Sequence, residues 1–186
     1  MPEAEGQSEN VKRRPWWVWP LAILAGALIG YAAAYLTITL SEPKPVDHTE
    51  YAPAFALELF YDAESLTLDD LEGRGVVLNF WASWCLPCQQ EMPALEAAWQ
   101  KYAGQGVVFV GANIADERQD ALDFLAEYDV TYPNGVDMLG DIQAAYSLLG
   151  YPTTWFIKPD GSVARKVLGP LNLADLDDAI ALILPE

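Results

Sequence analysis

The stretch VVLNFWASWCLPCQQEMP, residues 76–93, changes its hydrophobic pattern halfway along. Its first part, VVLNFW, is almost continuously apolar, which is typical of a parallel strand buried on both faces. After the cysteines the apolar residues recur at spacings of three and four as far as Tyr102, which is a helical pattern. Cys85 and Cys88, the two cysteines of the chain, therefore lie where a buried strand ends and a helix begins.

This position favours redox chemistry over a structural disulfide. A bond between Cys85 and Cys88 closes a very small loop, and the entropic benefit of a disulfide grows with loop length. At a helix N-terminus the free N–H groups and the helix dipole stabilise a thiolate, the nucleophile of disulfide exchange. We therefore predict that Cys85, nearer the helix start, attacks a disulfide and that Cys88 resolves the mixed disulfide. Pro87 suits the first turn of the helix.

Glu91 follows Cys88 by three residues and lies on the same helical face. A partly buried carboxylate has a raised pKa and could accept the proton of Cys88 during resolution. An ordinary acidic residue near a helix N-terminus, favoured by the dipole, explains Glu91 equally well. The residues alone leave both interpretations open.

A second candidate segment is GYPTTWFIKPDG, residues 150–161. It places Pro152 before an apolar strand and ends in a tight turn that leads to a hairpin strand at residues 162–168. Because an X–Pro bond is cis in only about 5–6% of folded cases, the local sequence favours a trans bond between Tyr151 and Pro152.

The remaining elements alternate between strand and helix. We predict short edge strands at 55–59 and 66–68, a strand at 107–110, helices at 117–128 and 141–149, and a closing helix whose buried stripe is Leu173, Leu176, Ile180 and Ile183. This order predicts one α/β domain over residues 52–186.

The N-terminal part predicts a membrane anchor over residues 15–40. Residues 16–40 carry no charge, and about 20 apolar residues suffice for a helix to cross a bilayer. Three basic residues precede the span (Lys12, Arg13 and Arg14). In the 20 residues after it, Lys44 is the one lysine or arginine. The positive-inside rule therefore places residues 1–14 in the cytoplasm and the domain outside a single-pass cytoplasmic-membrane anchor. A signal peptide cleaved near Ala34 is the alternative, which the continuing apolar run disfavours.

The segment between anchor and domain, residues 41–51, contains two prolines and four charges and predicts an extended tether. We assign no role to His48 within it. The chain has 27 acidic and 10 basic residues, a formal charge of −17, which argues against binding of nucleic acid. Two cysteines and one histidine cannot supply a four-ligand zinc site of cysteine and histidine.

Residues 53–184 resemble the thioredoxin fold, and more closely the TlpA/ResA/CcmG group of membrane-anchored thiol-disulfide oxidoreductases. The resemblance rests on three ordered motifs, at 76–93, GANIAD at 111–116, and 150–161. It implies a central mixed sheet flanked by helices, with a helix-and-strand insert at 111–137. It implies no cofactor beyond the redox-active cysteine pair.

The resemblance also implies roles for site residues. Pro152 would be a cis-proline facing the dithiol, and the Tyr151 backbone would dock an extended substrate segment, with Trp84 and Thr153 completing the substrate-binding set. Glu91 matches an acid that this group carries after its second cysteine.

Asn79 departs from thioredoxin itself, which has a buried aspartate there. Because an amide cannot take up a proton at neutral pH, proton handling would shift to Glu91.

Members of this group typically reduce disulfides outside the cytoplasmic membrane, often in apocytochrome c, and are themselves reduced through a membrane electron donor. Reduction of a protein disulfide is accordingly the first hypothesis. The alternatives are a Cu(I)-handling module for oxidase assembly that uses Cys85 and Cys88, a general disulfide oxidant, and a thiol-dependent peroxidase. The short cysteine spacing disfavours the copper hypothesis, and the Trp84-Cys85 motif disfavours the peroxidase.

Overall fold

The computed structural model describes residues 50–61, 65–114 and 116–185. The predicted cytoplasmic segment, the anchor, most of the tether and His48 lie outside these residues. Within the described ranges, no helix combines the length and the apolar character needed to span a bilayer. The last two tether residues are held on the domain, since Tyr51 forms a β-bridge with Ser162 and the Glu50 carbonyl accepts from the Val163 amide.

The described residues form seven strands and four α-helices. The strands are β1 (Ala56–Leu59), β2 (Ser65–Thr67), β3 (Gly75–Trp81), β4 (Val107–Asn113), β5 (Asn134–Val136), β6 (Thr153–Ile157) and β7 (Val163–Leu168). The helices are α1 (Leu86–Tyr102), α2 (Arg118–Glu127), α3 (Asp141–Ala145) and α4 (Leu173–Ile180). The sheet has the order β2-β1-β5-β4-β3-β6-β7, with β3, β4 and β5 parallel and the other neighbours antiparallel. This mixed sheet with its helices is the thioredoxin-like α/β fold.

The centre of the sheet is buried on both faces. Every residue of β3 and β4 is buried, and apolar clusters cover the two faces. Gly111 in β4 permits a buried hydrogen bond of 3.0 Å between Trp81 Nε1 and Asn134 Oδ1. A β-carbon on Gly111 would lie 1.7 Å from that oxygen, so only glycine fits between these neighbours.

The loops that form the site lie at one end of the sheet, where the parallel strands finish. Trp81, Asn113 and Val136 are in register at the carboxyl ends of the three parallel strands. The antiparallel β6 begins at the same edge, because Thr153 pairs with Phe80. The loops after β3, β4 and β5 and the loop before β6 therefore meet there.

Three predictions need correction. Strand β1 is predicted at a sheet edge, but it lies between β2 and β5, because β5 pairs with the side of β1 that β2 leaves free. The resemblance implies a strand within residues 111–137 but does not indicate its partner. Helix α3 is shorter than predicted, since Ser147 adopts a left-handed backbone (φ 48°) after it. Leu173 is exposed rather than buried, because it is the first residue of α4.

Candidate active site

The two cysteines stand at the N-terminus of α1, as the sequence predicts. Cys85 is the N-cap residue, and its sulfur accepts from the Cys88 amide at 3.2 Å. The two sulfurs are joined in a disulfide. Cys85 is 5% exposed and Cys88 is 0% exposed, while Trp84 and Leu86 on either side of Cys85 are largely exposed. Of the two cysteines only Cys85 keeps any exposed area, so it is the one that a substrate can approach.

Asp116 holds the loop that leads to Cys85. One carboxylate oxygen accepts from the Ser83 amide at 2.6 Å and from Asn113 Nδ2 at 2.6 Å, and the other accepts from Ser83 Oγ at 2.9 Å. The Ser83 carbonyl accepts in turn from Gln89 Nε2 at 3.0 Å. No sequence pattern predicts a role for Asp116. It follows the last residue of β4 by three positions, at the end of the sheet that carries the cysteines, and this position is the signal that could have indicated one.

Glu91 lies in the core, 1% exposed. Oε1 accepts from Asn79 Nδ2 at 2.8 Å, and Oε2 accepts from the Leu171 amide at 3.0 Å. Burial raises the pKa of Glu91 to about 7, although both hydrogen bonds act to lower it. Asn79 Nδ2 also donates to Thr154 Oγ1 at 2.9 Å. An acid that titrates near neutral pH thus sits one helical turn after Cys88.

The Tyr151–Pro152 peptide bond is cis. The trans bond favoured by the local sequence is therefore wrong, and the cis bond implied by the resemblance is confirmed. The Tyr151 ring lies 6.0 Å from the Trp84 ring in a T-shaped arrangement. Thr153 is buried, and its hydroxyl donates to the Gly150 carbonyl at 2.7 Å. The structure thus places Trp84 and Tyr151 side by side, whereas the Thr153 side chain supports the loop.

Among the described residues there is no cluster of three or more His, Cys, Asp or Glu side chains that could hold a metal ion. The site brings together the cysteine pair, the buried carboxylic acid of Glu91 and the exposed Trp84 beside Cys85.

Comparison with known proteins finds relatives that are thiol-disulfide oxidoreductases. The AhpC/TSA family matches residues 49–166. The thiol-disulfide oxidoreductase ResA of Oceanobacillus iheyensis is 33% identical over 182 residues, which cover 96% of this chain and 95% of that protein. ResA of Bacillus subtilis is 34% identical over 134 residues, covering 72% of this chain and 74% of that protein.

A solved structure, a putative thiol:disulfide interchange protein DsbE from Chlorobium tepidum, superposes with a TM-score of 0.67 at 31% identity. The match covers 73% of this chain and 96% of that one. The chain therefore belongs to the AhpC/TSA family, in the thioredoxin-like group that contains the ResA thiol-disulfide oxidoreductases.

Proposed function

We propose that this protein is a membrane-anchored thiol-disulfide oxidoreductase that reduces protein disulfides outside the cytoplasm. The observation that carries the proposal is the asymmetry of the cysteine pair, in which Cys85 caps the helix and keeps a small exposed fraction between two exposed neighbours, whereas Cys88 is fully buried. Such a pair suits two consecutive exchange steps, the first with a partner and the second within the chain.

In the first step the Cys85 thiolate attacks one sulfur of a substrate disulfide. The substrate S–S bond breaks, a bond forms between Cys85 and the substrate, and the departing substrate sulfur takes up a proton. In the second step the Cys88 thiolate attacks Cys85 Sγ, which releases the other substrate cysteine. The substrate disulfide gains two electrons, and the Cys85–Cys88 pair becomes the disulfide seen in the structure.

Glu91 is proposed to take the proton of Cys88 before the second step. A general base works best when its pKa lies near the operating pH, and burial raises the pKa of Glu91 to about 7. An exposed carboxylate with an ordinary pKa would be a much weaker acceptor for a thiol proton.

Trp84, Tyr151, Pro152 and Thr153 are proposed to form the substrate-binding surface. Trp84 is exposed beside Cys85, and its ring contacts Tyr151, so one surface joins the reactive sulfur to the loop that holds Pro152. An extended substrate segment would pair with the Tyr151 backbone in the manner of an added strand.

The single-pass anchor over residues 15–40 and the extracytoplasmic position of the domain belong to this proposal and rest on the sequence pattern. A membrane electron donor would re-reduce the cysteine pair after each turnover. As one substrate we propose apocytochrome c, on the resemblance to the TlpA/ResA/CcmG group.

The reduction potential of the full-length protein tests the direction of electron flow. The protein is equilibrated in dithiothreitol or glutathione buffers, and the free thiols are trapped and counted. A reductase should have a potential near that of thioredoxin, about −270 mV, or lower. A potential near about −120 mV, at the oxidising end of the range, would show that the protein donates disulfides and would overturn the proposed reductase activity.

A further inference from the structure

A groove of about 310 Å³ lies beside the loop that carries Pro152. Its walls are largely apolar and include Tyr146, Leu148, Leu149, Trp155, Val167 and Leu168. Thr153, the residue after Pro152, also lines it. The groove is therefore continuous with the proposed substrate-binding surface.

Two leucines at this groove are unusually exposed for their size. Leu149 is 91% exposed and Leu168 is 61% exposed. Leu149 follows the left-handed residue Ser147, and it precedes Tyr151 by two residues, so the α-carbons of Leu149 and Tyr151 are at most about 7 Å apart. Exposed apolar side chains grouped around a groove are typical of binding surfaces.

The groove has little charge to offer an ionic ligand. Among the described residues that line it, Lys166 is the one with a charged side chain. Its ammonium group lies 3.8 Å from the centre of the Trp155 ring and pairs with Glu50. An anionic lipid headgroup or a phosphate would have to compete with these contacts, whereas an apolar side chain would not.

We propose that this groove binds an apolar side chain of the substrate polypeptide, located within a few residues of its reactive cysteine. The inference rests on the proposed function, because a segment docked at Tyr151 advances about 3.3–3.6 Å per residue and so carries its neighbouring side chains to Leu149. The protein therefore selects polypeptide disulfides flanked by leucine or similar residues over disulfides with polar flanks.

Two synthetic peptides test this proposal. Each peptide contains one disulfide that closes the same small loop. The peptides differ only at the second, third and fourth positions from one cysteine, where one peptide has leucines and the other has serines. The second-order rate constant for reduction by the reduced full-length protein is measured for both, with oxidised glutathione as a small-molecule reference. Burial of one leucine side chain should make the leucine peptide react about tenfold faster than the serine peptide.

The double variant Leu149→Ser, Leu168→Ser should lower this ratio of rate constants from about ten to about one. A matched control, Leu182→Ser, Leu184→Ser, changes two exposed leucines after α4 that do not line the groove, and it should keep the ratio. The melting temperature of each variant shows whether it is folded.

Equal rate constants for the two peptides with the wild-type protein, or an unchanged ratio in the double variant, would overturn the proposal. A third outcome would also overturn it: the wild-type chain self-associates, the double variant does not, and the ratio of rate constants is the same in both. The groove would then be a contact between two copies of the chain. Failure to reduce any of the three disulfides would instead overturn the proposed function, and this proposal with it.

Discussion

Asn79 donates a hydrogen bond of 2.8 Å to Glu91 within the core, which joins the middle of β3 to the helix that carries both cysteines. The amide favours the ionised form of the carboxylate, while burial favours the protonated form. The balance between the two places the pKa of Glu91 at about 7. Asn79 thus influences the pKa of Glu91, although its own amide does not take up or release a proton.

Replacing Asn79 should shift the pH dependence of the second exchange step. In Asn79→Ala, Glu91 loses a hydrogen bond that favours its charged form, so its pKa should rise above the wild-type value of about 7. Since the carboxylate is the form that accepts a proton, the midpoint of the rate against pH should move to higher pH. Stopped-flow measurement of the rate of mixed-disulfide resolution between pH 5 and 9 would detect this shift of the midpoint.

The control for this variant is Thr154→Val, which removes the other partner of Asn79 Nδ2 and leaves the contact between Asn79 and Glu91 in place. Its midpoint should stay near that of the wild type. An identical midpoint in Asn79→Ala and the wild type would contradict the role given to Asn79.

Glu91 should also make the stability of the oxidised protein depend on pH. Its pKa is raised on folding from 4.5 to about 7, so between these values the native state binds more protons than the unfolded state. Stability is therefore highest below about pH 4.5 and falls as pH rises to about 7, by roughly 3 kcal/mol from this group.

Urea unfolding at several pH values between 4.5 and 8 would measure this contribution. The Glu91→Gln variant should lack it, because the amide does not titrate in this range. The free energy of unfolding of the variant, minus that of the wild type, should increase as pH rises. A difference that does not change with pH would show that Glu91 keeps an ordinary pKa.

The two cysteines should give opposite results when each is replaced. Cys85→Ser removes the accessible sulfur and should abolish disulfide reduction. Cys88→Ser keeps the attacking sulfur but cannot complete the second step, so a mixed disulfide with the substrate should accumulate. Non-reducing gels of cells that express each variant, with and without dithiothreitol, distinguish these outcomes. Trapping by Cys85→Ser instead would reverse the assignment of the two roles.

Asp116 should matter both for stability and for the reactivity of Cys85. In Asp116→Ala, the Ser83 amide and Asn113 Nδ2 lose their acceptor, at a cost of about 1–3 kcal/mol in the free energy of unfolding. The loop before Cys85 is then less well fixed, and kcat/KM for disulfide reduction should fall by roughly tenfold to hundredfold. Denaturant unfolding and steady-state kinetics measure the two effects.

Asp120→Ala is the matched control, since Asp120 is an exposed acid in the first turn of α2. It should leave kcat/KM unchanged and cost less stability than Asp116→Ala. Equal effects of the two substitutions would mean that Asp116 acts only through the general negative charge of this region.

The parts of the fold that the sequence predicted are those with a strong local pattern. The apolar run of β3, the helical spacing after Cys88 and the turn before β7 each depend on neighbouring residues, and each lies where predicted. The position of β1 depends on β5, a three-residue strand far along the chain, and no local pattern encodes that pairing.

The candidate site shows the same division. Cys85 and Cys88 are recognisable from their spacing alone. The link from Asp116 to Ser83 joins residues 33 positions apart, and the bond before Pro152 is cis, although the local sequence favours trans. Neither could be derived from the residues next to it, and the cis bond was expected only through resemblance to a family.

The complete burial of Cys88 also limits oxidative damage. A peroxide that reaches the reduced protein meets Cys85 first, and a sulfenic acid formed there lies next to the thiol of Cys88. The two condense to a disulfide and release water before further oxidation to the irreversible sulfinic acid. The product is the oxidised form of the proposed catalytic cycle, so the electron donor proposed for that cycle would restore it without a separate repair enzyme.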